Sequence, residues 1–245
     1  MFFVMNLKKI RLPLITVLLF AVLTAIITQR IKFDSEAVEV FSRLTEGRIL
    51  IIDAGHGGLD GGASSADGML ESTINLAVAQ RLEFLAQLFG VKTVMTRTTE
   101  GLDYPESAKT VREKKNWDQK TRAELISSIP NAVLISIHQN TYPDPRPHGS
   151  QVLYGPAQGS QELGELAHNL LIEMLNPENR RVAEPISDKI YLMRKAQCPA
   201  ILVECGFMSN AQENTLLSDD EYQTKLAMVL LASYLSYTQG TQYTV

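Results

Sequence analysis

The stretch that decides the fold is residues 48–62, with the sequence RILIIDAGHGGLDGG. Its four aliphatic residues, 49–52, predict a short buried strand because turn-forming residues bound them. Asp53 ends the apolar run. The segment that follows contains His56, with one glycine before it and four after it. Glycine permits backbone angles and close contacts that a Cβ atom would prevent, so we expect another group to lie against this loop.

Outward from this strand, the chain alternates predicted strands and helices. The further strands are predicted at residues 91–96, 132–137, 151–154, 189–193 and 200–203, and the helices at residues 71–89, 117–128, 161–175 and 221–237. The polar residues 98–116 predict a long loop of the kind that often borders a functional site. This alternation predicts a single α/β domain with a mostly parallel central sheet flanked by helices.

The N-terminus has a different character. Three basic residues, Lys8, Lys9 and Arg11, precede the apolar residues 12–28. This order is typical of a secretory signal or a membrane anchor, and it places the rest of the chain outside the cytoplasm. We therefore predict four regions: an anchor or signal segment at 1–29, a stalk at 30–47, the folded domain at 48–238 and a short tail at 239–245.

Composition excludes some classes of function. The 245 residues carry a net charge of −4 and no basic stripe, which argues against a nucleic-acid partner. Two cysteines are too few for a disulfide framework, and whether Cys198 and Cys205 pair with each other stays open.

Three predicted strands lead directly into reactive side chains, namely those of His56, His138 and Glu204. The carboxyl ends of parallel strands meet at one edge of a sheet, so these side chains should gather there. Imidazole is a good zinc ligand, and two histidines with one carboxylate form a known catalytic set. Glu71, at the start of a predicted helix, is the best carboxylate candidate. The alternative is that Glu71 only stabilises the helix N-terminus.

Glu204 continues the apolar residues 201–203 toward the interior, where a carboxylate is costly unless it is paired or functional. Beside a metal, it could take a proton from water and pass it to a leaving nitrogen. The alternative is a buried ion pair with Arg97 or Arg122. By contrast, His168 lies within a predicted helix and is expected at the surface.

Four motifs stand in a specific order: DAGHGG at residues 53–58, Glu71 with Asn75-Leu76, SIHQN at residues 136–140, and VECGF at residues 203–207 with Ser209-Asn210. Together they resemble the zinc-dependent N-acetylmuramoyl-L-alanine amidases of the type-3 amidase family, from about residue 48 to 237. The resemblance implies that His56, Glu71 and His138 bind one zinc ion per chain. It also implies that Glu204 is the catalytic acid and base.

The resemblance further implies a substrate and a reaction. The substrate would be the glycan-peptide strands of peptidoglycan, and the bond cut would join the lactyl group of N-acetylmuramic acid to L-alanine. A short catalytic domain behind a membrane segment is most similar to the germination-specific amidases that help make muramic-δ-lactam in the spore cortex. That would place the protein outside the cytoplasm, in the space between forespore and mother cell, with room for a protein partner on the membrane or spore-coat side.

Two other functions stay open at this point. One is a zinc peptidase that cuts within the stem peptides of peptidoglycan. The other is a non-catalytic wall-binding domain that keeps the same fold.

Overall fold

The computed structural model describes residues 28–29 and 47–240, and the fold below is that of residues 47–240. The predicted anchor at 1–29 and stalk at 30–47 lie almost wholly outside the described residues, as do the last five residues of the predicted tail. Within the described part of the chain, no helix is both long and apolar enough to cross a bilayer. The predicted division into regions remains a prediction.

The described residues form one six-stranded sheet. Its strands are β1 (Ile49–Ala54), β2 (Thr93–Met95), β3 (Ala132–Asn140), β4 (Gln151–Tyr154), β5 (Glu184–Pro185) and β6 (Ala200–Phe207). Their order across the sheet is β2-β1-β3-β6-β4-β5. The strands β2, β1, β3 and β6 run parallel, whereas β4 is antiparallel to β6 and parallel to β5. The carboxyl ends of β1, β3 and β6 therefore share one edge.

Helices cover both faces of this sheet. They are α1 (Glu71–Leu88), α2 (Val111–Ser128), α3 (Ser160–Leu175), α4 (Tyr191–Lys195), α5 (Ala211–Leu217) and α6 (Asp220–Thr238). Buried residues of α1, α3 and α6 share a core with Leu50 and Ile52, while those of α2 and α4 share a second core with Ile51. The side chains of a strand alternate between its two faces, so the aliphatic run of β1 is needed to fill both cores.

The helix α2 begins earlier than expected. Residues 98–116 were predicted to form a loop, but the helix starts at Val111, and Thr110 and Glu113 form a capping box at its N-terminus. Only three of its residues are buried, Arg122, Ala123 and Ile126. The first turns of α2 face solvent and carry no apolar periodicity, so hydrophobic spacing could not reveal them. The Thr-x-x-Glu pattern was the available signal.

Two other expectations were wrong. Residues 189–193 were predicted to be a strand, but they lead into the short helix α4, because a five-residue apolar pattern does not separate the two. His168 was expected at the surface and is only 1% exposed. Its helix, α3, packs against both β4 and α6, so it has less free surface than a helix with one packed face.

Candidate metal centre

The sheet topology brings the candidate site residues to one edge. His56 follows the end of β1, and β3 and β6 pair His138 with Glu204 in parallel register. Glu71 is the first residue of α1, and its side chain is buried. Residues that are up to 148 positions apart in sequence, from His56 to Glu204, are therefore placed at one site by three strand ends and one helix start.

His56, Glu71 and His138 converge on a single point. Glu71 Oε1 lies 3.3 Å from His56 Nε2 and 3.0 Å from His138 Nδ1. One ligand atom from each residue lies within 4.8 Å of the other two. Among the residues that the structure describes, this is the one such group of three side chains that could hold a metal ion. Two imidazole nitrogens and one carboxylate oxygen are donors that suit zinc.

The Glu71 carboxylate is oriented by two distant parts of the chain. Its Oε2 accepts a hydrogen bond from the Ala63 amide at 2.9 Å, and its Oε1 accepts one from the Gln139 amide at 3.1 Å. Burial would raise its pKa, but the hydrogen bonds and charges of His138 and His56 outweigh burial and hold the pKa well below its usual range. Neither amide belongs to α1, so the capping alternative does not account for the position of this side chain.

Glu204 lies beside this group with a free oxygen. Its Oε2 is buried and has no hydrogen-bond partner among the described residues. Burial raises the pKa of Glu204 to about 7. The alternative of a buried ion pair is not realised: Arg122 pairs instead with Asp53 and Asp118, at 2.9 and 2.8 Å. Arg97 donates to backbone carbonyls, so the Glu204 carboxylate remains available to a ligand.

The glycine loop allows this close arrangement. A Cβ atom on Gly55 would overlap the imidazole ring of His138, and one on Gly62 would overlap the Glu71 carboxylate. Gly62 has a φ of +68° and His56 has a φ of 60°. Both values lie in the left-handed region, which residues other than glycine rarely adopt. The expectation that another group lies against the loop is confirmed, since His138 lies against Gly55 and Glu71 lies against Gly62.

Two buried arginines hydrogen-bond to backbone carbonyls at the start of the glycine loop. Arg122 donates to the carbonyls of Ala54 and His56, each at 2.6 Å. Arg97 donates to the carbonyls of Ala54 at 2.9 Å and Gly55 at 3.0 Å. The side chains of Arg97 and Arg122 are 2% and 6% exposed. From the sequence, these arginines were expected only as possible partners of Glu204, because nothing in their local sequence shows which backbone they contact.

Asp53 holds Arg122 in place, and its hydrogen-bond partners are not the candidate ligands. It accepts hydrogen bonds from Arg122 at 2.9 Å, Thr96 Oγ1 at 2.7 Å and Ser136 Oγ at 2.6 Å. Burial would raise its pKa, but Arg122 and the two hydroxyl groups outweigh burial and lower the pKa below 3.8. Asp53 is therefore ionised at neutral pH and anchors the end of β1.

A cavity of about 420 Å³ opens over the candidate ligands. Its lining includes Lys115, Asp118 and Gln119 from α2, together with residues 189–193. Of the polar segment 98–116 that was expected to border the site, only Lys115 lines this cavity, and it does so from a helix.

Both cysteines of the chain are free.

Residues 50–233 match the protein family described as N-acetylmuramoyl-L-alanine amidase. The chain belongs to this family. The germination-specific amidase of Bacillus subtilis (strain 168) is 33% identical over 211 residues, which are 83% of this chain and 85% of that protein. The resemblance seen in the sequence motifs is therefore confirmed.

Two solved amidase structures share the fold. The CwlD amidase from Clostridioides difficile, solved in complex with the GerS lipoprotein, is 36% identical with a TM-score of 0.74, and the match covers 78% of this chain and 98% of CwlD. The amidase AmiC2 of Nostoc punctiforme is 27% identical with a TM-score of 0.66, over 78% of this chain and 97% of AmiC2. The predicted α/β fold, with its mostly parallel sheet flanked by helices, is confirmed.

Proposed function

We propose that the protein is a zinc-dependent N-acetylmuramoyl-L-alanine amidase that hydrolyses peptidoglycan. The observation that carries the proposal is the convergence of His56, Glu71 and His138. Next to them lies Glu204, whose Oε2 has no hydrogen-bond partner within the part of the chain that the structure describes. A catalytic zinc site needs three protein ligands, an open position for water and a nearby group that moves protons. Membership of the amidase family supports the choice of reaction.

The residues at the site fit a divalent ion. The Glu71 carboxylate is ionised and faces two imidazole nitrogens, so three atoms that can bind a metal lie within 4.8 Å of one another. Zinc bound there would polarise the amide carbonyl and lower the pKa of a water molecule. The cavity above the three ligands leaves space for that water and for the amide.

Glu204 performs the proton transfers in this proposal. It takes a proton from the attacking water as the oxygen adds to the carbonyl carbon. It then gives that proton to the nitrogen of L-alanine as the carbon–nitrogen bond breaks. Before a metal ion binds, burial raises the pKa of Glu204 to about 7. A carboxyl group whose pKa is raised in this way can take up a proton and release it near neutral pH.

The cellular role follows from the substrate and from the similar proteins. Peptidoglycan lies outside the cytoplasmic membrane, which agrees with an anchor or signal at residues 1–29 and a stalk at 30–47. The germination-specific relative supports a role in the spore cortex, in the formation of muramic-δ-lactam. The CwlD amidase is bound to a lipoprotein, so a lipoprotein on the membrane is the partner that we propose for this chain.

Digestion of purified cortex peptidoglycan by the full-length protein tests this function. We expect new free amino groups on L-alanine and stem peptides that are otherwise intact, with no release after zinc is chelated. The Glu204→Gln variant serves as the matched control, since it keeps the size of the side chain and removes its proton transfer. Cleavage between amino acids would instead support a zinc peptidase, and binding without cleavage would support a wall-binding domain.

A further inference from the structure

The ring of His56 is contacted on both of its nitrogens. Its Nε2 faces Glu71 Oε1 at 3.3 Å, and its Nδ1 lies 3.1 Å from Asp60 Oδ2 on the opposite side of the ring. The His56 side chain is 26% exposed, and its ring packs edge-on against the His138 ring with centroids 5.0 Å apart, whereas its contact at Nδ1 is with Asp60. Asp60 is therefore placed to set the orientation of the ring.

Asp60 is itself held from two directions. Its Oδ1 lies 2.8 Å from the Lys115 ammonium, which comes from α2 on the wall of the cavity. Its backbone exchanges two hydrogen bonds with Gly57, at 2.8 and 3.0 Å. One carboxylate oxygen thus contacts Lys115, while the other contacts His56.

This arrangement selects one form of the imidazole. A neutral imidazole has one N–H group and one lone pair, and an ionised carboxylate can only accept hydrogen bonds. In a neutral ring whose Nδ1–H donates to Asp60, the lone pair lies on Nε2, which is the nitrogen on the side of Glu71 where a metal ion would bind. Histidines that bind metals commonly donate their other N–H to a carboxylate in this way.

We propose that Asp60 is a positioning residue that fixes the Nε2 lone pair of His56 toward the metal, and that Lys115 holds Asp60 in place. The proposal rests on the zinc site of the proposed function. Asp60 faces the ring nitrogen that points away from Glu71, so it is not a fourth ligand. A partly exposed ion pair between Lys115 and Asp60 is expected to add little to the stability of the fold. Its loss should therefore be detected mainly through His56.

Zinc affinity of the full-length protein, measured by competition with a chelator, tests this role without any cleavage assay. We expect Asp60→Ala to weaken zinc binding roughly 10–100-fold, because the imidazole loses its oriented tautomer. Asp60→Asn should recover most of the affinity, since its amide oxygen can still accept from Nδ1–H. Lys115→Met should cause a smaller loss, below about tenfold.

Two exposed residues provide matched controls. Asp103→Ala removes an acid from the neighbouring loop, and Lys120→Met removes a lysine from the same helix, and both should leave zinc affinity unchanged. Nitrogen-15 spectra of the histidine rings should show His56 protonated at Nδ1 in the zinc-loaded wild type and should lose that signature in Asp60→Ala. Unaltered zinc affinity in Asp60→Ala, or an Asp60→Asn variant no better than Asp60→Ala, would overturn the proposal.

These results separate the two proposals. If the variants follow the expected order but the wild type does not cut the amide, the assigned reaction fails and the role of Asp60 stands. If the wild type cuts the amide and Asp60→Ala binds zinc normally, only the role of Asp60 fails. A wild type that binds no zinc overturns both.

Discussion

Replacement of Arg122 by Met should destabilise the fold and loosen the metal loop. Arg122 is 5% exposed, and its guanidinium group pairs with Asp53 at 2.9 Å and donates to the carbonyls of Ala54 and His56, each at 2.6 Å. Methionine fills much of the same volume but cannot donate a hydrogen bond. The Asp53 carboxylate would then remain buried with only hydroxyl partners.

The expected cost follows from this geometry. Removal of one partner from a buried ion pair costs roughly 3–5 kcal/mol, because the other charge is left uncompensated. The Ala54 carbonyl still accepts from Arg97, whereas the His56 carbonyl loses its Arg122 donor, a loss of about 1 kcal/mol that is small beside the width of that range. For a domain of this size, 1 kcal/mol corresponds to roughly 2–4 °C, so the melting temperature should fall by about 6–20 °C.

Thermal unfolding of the zinc-free protein, followed by circular dichroism, measures this cost. Arg180→Met is the matched control, because Arg180 forms its ion pair with Glu178 at the surface, where both side chains are exposed. That variant should melt with the wild type. A change of less than about 2 °C for Arg122→Met would refute the reasoning, since the buried pair would then contribute almost nothing to stability.

Three further predictions follow from groups around the site. Glu204→Gln should stabilise the zinc-free protein at about pH 8 but not at about pH 4. The pKa of Glu204 is raised to about 7, so the wild type carries a buried charge at the higher pH only. Equal shifts in melting temperature at the two pH values would contradict this prediction. The pKa of Asp53 lies below 3.8 in the folded state, so its stabilisation is present at neutral pH and is lost as the pH falls through that lower pKa. Below about pH 4, the free energy of unfolding should therefore change less with pH in Asp53→Asn than in the wild type. Equal slopes for the two proteins would contradict this prediction. Gly55→Ala should lower zinc affinity because its methyl group overlaps the His138 ring, whereas Gly101→Ala, which meets open space, should bind zinc normally; equal affinities for the two variants would contradict the close packing.

Much of this fold could be predicted because its signals are local. The aliphatic runs that form β1, β3 and β6 are bounded by turn residues, and each leads into a reactive side chain. In a parallel sheet the carboxyl ends share an edge, so the proximity of His56, His138 and Glu204 could be predicted without coordinates. Glu71 was the weaker inference, because a helix start accounts equally well for an acid.

The rest depends on tertiary contacts that leave no local pattern. Arg122 reaches Asp53 across 69 positions, and Lys115 reaches Asp60 from a different element. The sequence shows these residues only as charges within polar segments, and such charges are most often exposed. His168 was misplaced for a related reason: its burial depends on which elements pack around α3, and no property of that helix alone determines this.

Anomalous diffraction at the zinc edge, from crystals of the zinc-loaded protein, tests the central claim most directly. The account predicts one peak bonded to His56 Nε2, Glu71 Oε1 and His138 Nδ1, at roughly 2.0–2.2 Å from each, with the Glu204 carboxylate close by but not bonded. A peak that is absent after loading, or that lies away from these three atoms, would contradict it.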